Sequence, residues 1–491
     1  MDETTGISQK NCIKCDETHI IYRYYVINFD WFTICFYTES KERKGRMERN
    51  AMQDLVAWKE SPYRKPLLLQ GIRQVGKTWL LKEFGKRYYD QVALFNFEEH
   101  PEYRQFFSST KDITRILSNL QFAIGFPITE GSTLIVFDEI QDAPEVLNSL
   151  KYFHENGKGY HVACAGSLLG VALAKSSSFP VGQVDFLKIL PLTFREMLGA
   201  EDEKNLIAYL DAKDDLDQIP DAFFNPLVDN LKKYFLIGGM PEAMDRWVNE
   251  KQSGQIDGIL WSIIQAYERD FAKHPEPREY PKLMHIWHSL PSQLARENKK
   301  FLYQLVKQGA RAREYENALH WLVSADVVTK VSRCTKPAFP LSAYEDLSAF
   351  KVYAADVALL RRLAQLDISS FLHPTQVFTE FKGAFVENYI LQALTAAFPV
   401  PLRYWTSSDN RYEVDFLLQH KNHIIPIEVK VDANISSPSL KAIKRIHNND
   451  FGLRIRYSLR NLKLDGDVLN IPLFMADWTE KLITLALQRS V

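Results

Sequence analysis

Residues 71–78 read Gly71-Ile72-Arg73-Gln74-Val75-Gly76-Lys77-Thr78, the pattern G-x-x-x-x-G-K-[ST] of a phosphate-binding loop. Glycines let such a loop curl and aim its backbone N–H groups at phosphate oxygens, with Ile72, Arg73, Gln74 and Val75 completing the cradle. Lys77 is placed to reach the outer phosphates of a nucleoside triphosphate, and the Thr78 hydroxyl to ligand Mg²⁺. An apolar run, Pro66-Leu67-Leu68-Leu69-Gln70, leads into the loop. Trp79, Leu80, Leu81 and Phe84 leave it at helical spacing, with Trp79 beside the phosphate-facing turn. Strand, loop and helix in that order are the context in which this motif binds ATP. A glycine turn with an incidental lysine is the rival reading.

Outward from the loop, apolar strands near 67–70, 92–97, 133–138 and 160–165 alternate with helical stretches at 78–89, 102–108, 111–124 and 144–156. Continuous apolar strands separated by helices predict an α/β domain with a parallel sheet covered on both faces. The loop then lies at the carboxyl end of its strand, where such sheets bind ligands. The strand Leu134-Ile135-Val136-Phe137 runs into Asp138 and Glu139. Asp138 fits the carboxylate that holds Mg²⁺, and Glu139 the group that orients or deprotonates the attacking water. Ser167, in Cys164-Ala165-Gly166-Ser167, either senses the terminal phosphate or caps a helix.

The whole chain sets bounds. Its 491 residues hold two to four domains, and 60 basic against 61 acidic residues leave a formal charge of −1. No global field draws it to nucleic acid, so any basic surface is local. Five cysteines without a regular framework fit a reducing cytoplasm. Cys12-x-x-Cys15 has half of a zinc spacing and no second pair. The apolar stretch 20–37 is interrupted by Arg23, Asn28 and Asp30, which argues against a membrane span. Residues 1–46 read as a peripheral extension, with Met47 as the expected natural start.

Four further segments are expected: an ATPase core over 47–199, an acidic loop-rich insertion (200–232) with a helical lid to 279, a winged-helix-like segment over 280–335, and a small α/β domain over 336–491. In the third, the helix from Arg311 to Leu322 opens with Arg311 and Arg313. It suits either a DNA groove or a packing role. His285 and His288 share a helix turn without a third ligand and read as structural.

Further on, Glu413-Val414-Asp415-Phe416-Leu417-Leu418 and Ile424-Ile425-Pro426-Ile427-Glu428-Val429-Lys430 flank a polar turn and predict a β-hairpin. Alternation puts Glu428 and Lys430 on one face, with Asp415 across from them. Asp415 and Glu428 suit a Mg²⁺ that activates water for phosphodiester hydrolysis, and Lys430 suits positioning that water. Glu387, on an upstream helix, is a candidate further ligand. The rival readings are an edge strand that uses charge against aggregation and a nuclease-derived fold without activity.

The loop, Leu134-Ile135-Val136-Phe137-Asp138-Glu139-Ile140-Gln141, Ala165-Gly166-Ser167-Leu168-Leu169-Gly170, Pro191-Leu192-Thr193-Phe194-Arg195-Glu196 and Gly238-Gly239-Met240-Pro241-Glu242 together resemble a group of prokaryotic AAA+-type predicted ATPases. These carry a C-terminal domain of unknown function. The resemblance spans about 47–460. It implies an ATPase core with a helical lid, Mg²⁺-ATP as cofactor and a homo-oligomeric habit. Arg195 and Arg269 are candidate arginine fingers or surface ion-pairing residues. The set Glu387, Asp415, Glu428-x-Lys430 resembles the PD-(D/E)XK nuclease core, which implies DNA or RNA as partner.

Overall fold

The computed structural model describes residues 7–8, 20–29, 32–41, 47–171, 182–251, 253–273, 276–296, 299–366, 376–431, 436–448 and 451–489. Cys12 and Cys15, and most of the linker before Met47, lie outside the described residues. Ile20–Phe29 and Phe32–Lys41 form an antiparallel pair, with Ile7–Ser8 against the first.

The N-terminal half is built on five parallel strands: β1 (Leu67–Gln70), β2 (Gln91–Asn96), β3 (Thr133–Asp138), β4 (His161–Ala165) and β5 (Asp185–Lys188), in the spatial order β2-β3-β4-β1-β5. Side chains alternate across the sheet. Leu67, Leu69, Leu134 and Val136 join one core with the helix Lys77–Tyr88. Leu68, Ile135 and Phe137 join the other, with the helices Ile113–Ile124 and Pro144–Asn156. Period-two burial on both faces is why these strands read as unbroken apolar runs. Sequence reading missed β5, because Asp185-Phe186-Leu187-Lys188 is a short edge strand of mixed exposure.

The expected loop-rich insertion is largely helical, with Lys204–Ala212 and Asp221–Ile237 burying Leu206, Leu210, Leu227 and Leu231. Among its acidic residues, Asp211 is a tether and Asp215 makes a local pair. Asp211 pairs with Arg195 at 2.7 Å and accepts the Trp478 indole N–H at 2.7 Å, and Asp215 pairs with Lys213. Two helices follow where the lid was expected, Pro241–Glu250 and Ser253–Ala272.

Beyond the lid come Tyr280–Leu294, the one-turn helix Tyr303–Val306 and Ala312–Ser324, leading into β6 (Val328–Cys334) and β7 (Glu345–Ala354). The antiparallel β6–β7 pair starts inside the expected winged-helix-like segment, yet it is continuous with the distal sheet. That sheet adds β8 (Arg403–Thr406), β9 (Glu413–His420), β10 (His423–Val429), β11 (Arg454–Ser458), β12 (Lys463–Asp465) and β13 (Val468–Pro472). Its order is β7-β6-β8-β9-β10-β11-β13-β12. One sheet therefore runs across the boundary expected at 335/336, which was drawn from local pattern with no view of the parallel β6–β8 pairing.

Within the distal sheet, β8, β9 and β10 form an antiparallel meander and β11 lies parallel to β10. Helix Gln376–Ala397 covers one face and Pro438–His447 the other. The two halves are joined by hydrogen bonds as well as a shared core. Asn461 exchanges two bonds with the Ile219 backbone, and the Asp477 carboxylate accepts the Arg195 N–H at 2.7 Å.

Burial, with the nearby Glu196 charge, pushes the Asp477 carboxyl up to about 6. An acid whose folded value exceeds its unfolded value takes up a proton on folding between the two. Its cost is therefore absent below about pH 4 and fully present above about pH 6. Asp477→Asn should stabilise the protein at pH 7.5 by up to about 3 kcal/mol, with the gain vanishing near pH 4. Denaturant melts across pH 4–8 check this, and a pH-independent offset would contradict it.

Candidate functional site

The turn after β1 owes its path to close backbone approach. Gly71 has φ +142°, and a Cβ there would stand 2.1 Å from the Ile189 carbonyl oxygen, so no larger residue fits. Gln74 and Gly76 also take positive φ. The helix Lys77–Tyr88 then begins with no side chain capping its first N–H groups, which leaves them for an anion. The Ile72 and Val75 side chains are buried in the core, so only their backbone serves the loop. Arg73 pairs with Asp270 at 2.6 Å while its carbonyl accepts the Tyr267 hydroxyl, which ties the loop to the lid helix Ser253–Ala272.

Lys77 is almost fully buried, and its ammonium donates to the Gly71 and Ile72 carbonyls at 2.7 and 2.9 Å. Burial brings it down to about 8 against the opposing pull of Glu139. The Thr78 hydroxyl donates to Asp138 Oδ1 at 3.0 Å across 60 residues of chain. Burial raises the Asp138 carboxyl, and that hydrogen bond opposes the rise. Glu139 takes φ +51°, turning its carboxylate to accept from Gln141 at 2.7 Å and the Ser167 hydroxyl at 3.2 Å. The structure thus brings Lys77, Thr78, Asp138, Glu139 and Ser167 together, with Ser167 turned to Glu139. Thr78 and Asp138 are hard oxygen donors side by side and fit Mg²⁺.

These residues, with Arg73, Gln74, Gly76 and Trp79, line a cavity of about 480 Å³. Its other wall was not foreseen as part of the site: Met47, Arg49, Leu192, Pro241, Glu242 and Asp245. Arg49 ties that wall to the loop. Its guanidinium donates to the Val75 carbonyl, to the Leu190 carbonyl and to Glu196. Nothing local marks it, since its partners lie 26 to 147 residues away. Of the two arginine-finger candidates, Arg195 is held by Asp211, while Arg269 lies exposed on the lid helix.

The distal set also converges. Glu387 Oε1 pairs with Lys299 at 2.8 Å, and its Oε2 accepts the Tyr353 hydroxyl. Glu387 and Asp415 share a hydrogen bond. Burial works against the Glu387 charge, yet Lys299 and Lys351 hold it well below the usual carboxylate range. Burial and the Glu387 charge drive Asp415 well above it. Asp415 Oδ2 accepts the Val429 N–H at 2.8 Å, which places it beside Glu428. Glu428 pairs with Lys430 at 2.7 Å, and its Oε2 is buried without a partner.

Among the described residues, no three or more His, Cys, Asp and Glu side chains are arranged to hold a metal ion. Glu387, Asp415 and Glu428 are instead compensated by ammonium groups, and Lys299 and Lys351 reach them from segments outside the hairpin. His285 bonds Tyr315 and His288 bonds Glu268, in keeping with structural roles. No helix among the described residues is long and apolar enough to cross a membrane.

Residues 63–198 match the family model described as an AAA domain. Residues 228–370 and 382–474 match two domains of unknown function, DUF8612 and DUF4143. The first match covers the loop, Asp138, Glu139 and Ser167, so residues 63–198 are an AAA-type domain, which supports ATP binding at the loop. The last match encloses Glu387, Asp415, Glu428 and Lys430.

No curated protein matches the chain. Among solved structures it is similar to the Walker-type ATPase PABY2304 of Pyrococcus abyssi, with 15% identity and a TM-score of 0.42 over 66% of this chain and 98% of that one. It is also similar to the Aeropyrum pernix ORC1 protein in complex with DNA, with 11% identity and a TM-score of 0.23 over 66% and 93%. RuvB of Thermotoga maritima gives 14% identity and 0.28 over 57% and 88%.

Replacing Arg49 by Met strands the buried Glu196 carboxylate and should cost about 3 kcal/mol of stability. Adding Glu196→Gln should recover part of that loss. Denaturant melts of the single and double variants test the pair, and additive losses would show that the two residues act independently.

Proposed function

We propose that the chain is a Mg²⁺-dependent ATPase whose nucleotide cycle controls a nuclease-like C-terminal half acting on a DNA or RNA backbone. The observation that carries the ATPase reading is the cluster at the end of the phosphate loop. Thr78 and Asp138 already touch, and Glu139 is aimed beside them by Ser167 and Gln141. Bound there, Mg²⁺ would supply charge neutralisation at the phosphates. Lys77 exchanges its two carbonyl partners for phosphate oxygens, and the uncapped helix N–H groups add theirs. Glu139 orients and deprotonates the attacking water. The working form is cytoplasmic and homo-oligomeric, with Arg269 the arginine free to face a neighbouring copy.

Support for control of the distal half comes from the fully buried Asp356. Its carboxylate accepts the Gly239 N–H at 2.7 Å, and Gln392 donates to it at 3.4 Å. Gly239 lies two residues before Pro241 in the ATP cavity wall, and Gln392 is on the helix that carries Glu387. The nuclease-like reading rests on the succession of helix, antiparallel meander, helix and parallel strand, which puts Glu387, Asp415, Glu428 and Lys430 in one place. A second reading, a nucleotide-dependent scaffold with an inactive nuclease-derived domain, is favoured by the lysines that already compensate those carboxylates.

Lys77→Ala should weaken ATP binding roughly 10- to 100-fold, the worth of a charge-assisted hydrogen bond. Glu139→Gln should retain ATP and lose roughly 10²-fold or more in turnover. Nucleotide titration and phosphate release measure both, and unchanged hydrolysis in both variants would refute the assignment. For the distal half, cleavage of duplex DNA, single-stranded DNA and RNA is compared in wild type, Asp415→Ala and Lys430→Ala with Mg²⁺. Activity lost in both variants supports the nuclease, whereas equal activity in all three leaves the scaffold reading.

A further inference from the structure

Transfer of a terminal phosphoryl group spreads negative charge over its oxygens, and a guanidinium beside them speeds the step by roughly 10³- to 10⁵-fold. Neither Arg195 nor Arg269 lines the ATP cavity; the arginines that do are Arg49 and Arg73. Arg49 is buried, and its Nε, Nη1 and Nη2 are taken by Glu196, the Val75 carbonyl and the Leu190 carbonyl. Arg73 is different in kind. Its side chain is 33% exposed, and among the described residues its guanidinium makes one hydrogen bond, to Asp270 Oδ1 at 2.6 Å.

The loop itself says which phosphate Arg73 faces. The Lys77 ammonium, which serves the outer phosphates, donates to the carbonyls of Gly71 and Ile72. The first residues of the loop therefore stand beside the tip of Lys77, and Arg73 follows them directly. Glu139 lines the same cavity. Burial opposes the charge on Arg73, yet Asp270, Glu139 and Glu98 hold the guanidinium above its ordinary value. The contact with Asp270 is also replaceable. Lys273 Nζ lies 3.4 Å from the same Oδ1, so the buried carboxylate keeps a cation when Arg73 turns away. The Tyr267 hydroxyl meanwhile anchors the Arg73 carbonyl at 3.0 Å, which lets the side chain move while its backbone stays.

We propose that Arg73 is a cis-acting catalytic arginine: its guanidinium leaves Asp270 for the terminal phosphate of ATP bound in the same chain. The inference rests on the ATPase reading above and adds the group that neutralises charge in the hydrolytic step. In that step the water oxygen bonds to phosphorus while the bond to the bridging oxygen breaks. Glu139 takes the proton from water, and ADP departs with the bridging electron pair. Arg73 keeps its protons throughout. A planar guanidinium suits the role because it can give two parallel hydrogen bonds to phosphoryl oxygens.

The test compares full-length wild type, Arg73→Gln and Arg73→Lys for ADP binding, binding of ADP–aluminium fluoride and phosphate release, all with Mg²⁺. Arg73→Gln should hold ADP within about threefold of wild type, yet lose roughly 10²-fold or more in kcat and in affinity for the fluoride complex. Arg73→Lys should recover only part of both, since an ammonium lacks the planar fork. In the wild-type chain, where no variant has to fold, ADP–aluminium fluoride should protect Arg73 from phenylglyoxal several-fold better than ADP does. Mixing Arg73→Gln with Lys77→Ala should give no rescue; restored hydrolysis would mean that the arginine acts across copies and would overturn the cis assignment. Wild-type kcat in Arg73→Gln, or equal protection by the two ligands, overturns the catalytic role. If Lys77→Ala and Glu139→Gln still lose hydrolysis, the ATPase reading stands without it. Hydrolysis unaffected in all these variants overturns both.

Discussion

The buried guanidinium of Arg49 is the constraint around which the ATP cavity is assembled. It sits just before the first helix and bonds at once to the phosphate loop, to the segment leaving β5 and to Glu196. Glu196 in turn closes a capping box with Thr193 and accepts the Asn50 N–H. An arginine suits this position because its planar fork serves several acceptors in fixed directions while keeping its charge. Buried pairs of this kind add little net stability, but they specify one arrangement, since any other leaves an unmatched charge inside.

The same economy of contacts links the cavity to the rest of the chain. Leu192 and Gly239 bond through their backbones, the Tyr234 hydroxyl donates to Leu192, and Asp356 draws Gly239 toward the distal domain. A second connection passes from Arg73 through Asp270 and Tyr267 to Trp287. The molecule is thus poorly described as two modules on a flexible tether. The helix Ser253–Ala272 shares one apolar core with the distal sheet.

Electrostatics divides the two sites. At the ATP cavity, burial weakens the charges of both Lys77 and Asp138, which suits groups waiting for a highly charged ligand. At the distal site the groups have already met. Glu387, Asp415 and their lysines form a compensated cluster in which Glu428 Oε2 is the open acceptor. In the first, burial leaves the charges weakened; in the second, the carboxylates are paired within the protein.

Much of this was legible in the chain itself. The glycines of the loop, the apolar run before it and the acidic pair after β3 are local patterns with local physical causes. They yielded the parallel sheet, the AAA-type ATPase domain and the positions of Lys77, Thr78, Asp138 and Glu139. The hairpin carrying Asp415 and Glu428 was equally readable, because alternation and a polar turn determine it. What sequence could not decide were meetings between distant segments. Arg49 against Glu196, Lys299 against Glu387 and Asp356 against Gly239 each join residues about 90 to 150 apart. An isolated arginine, lysine or aspartate has no periodicity to announce its partner, and an acidic stretch such as 200–232 looks solvated until its tethers are seen. Local pattern determined the loop and the hairpin, and only tertiary packing decided what surrounds and links them.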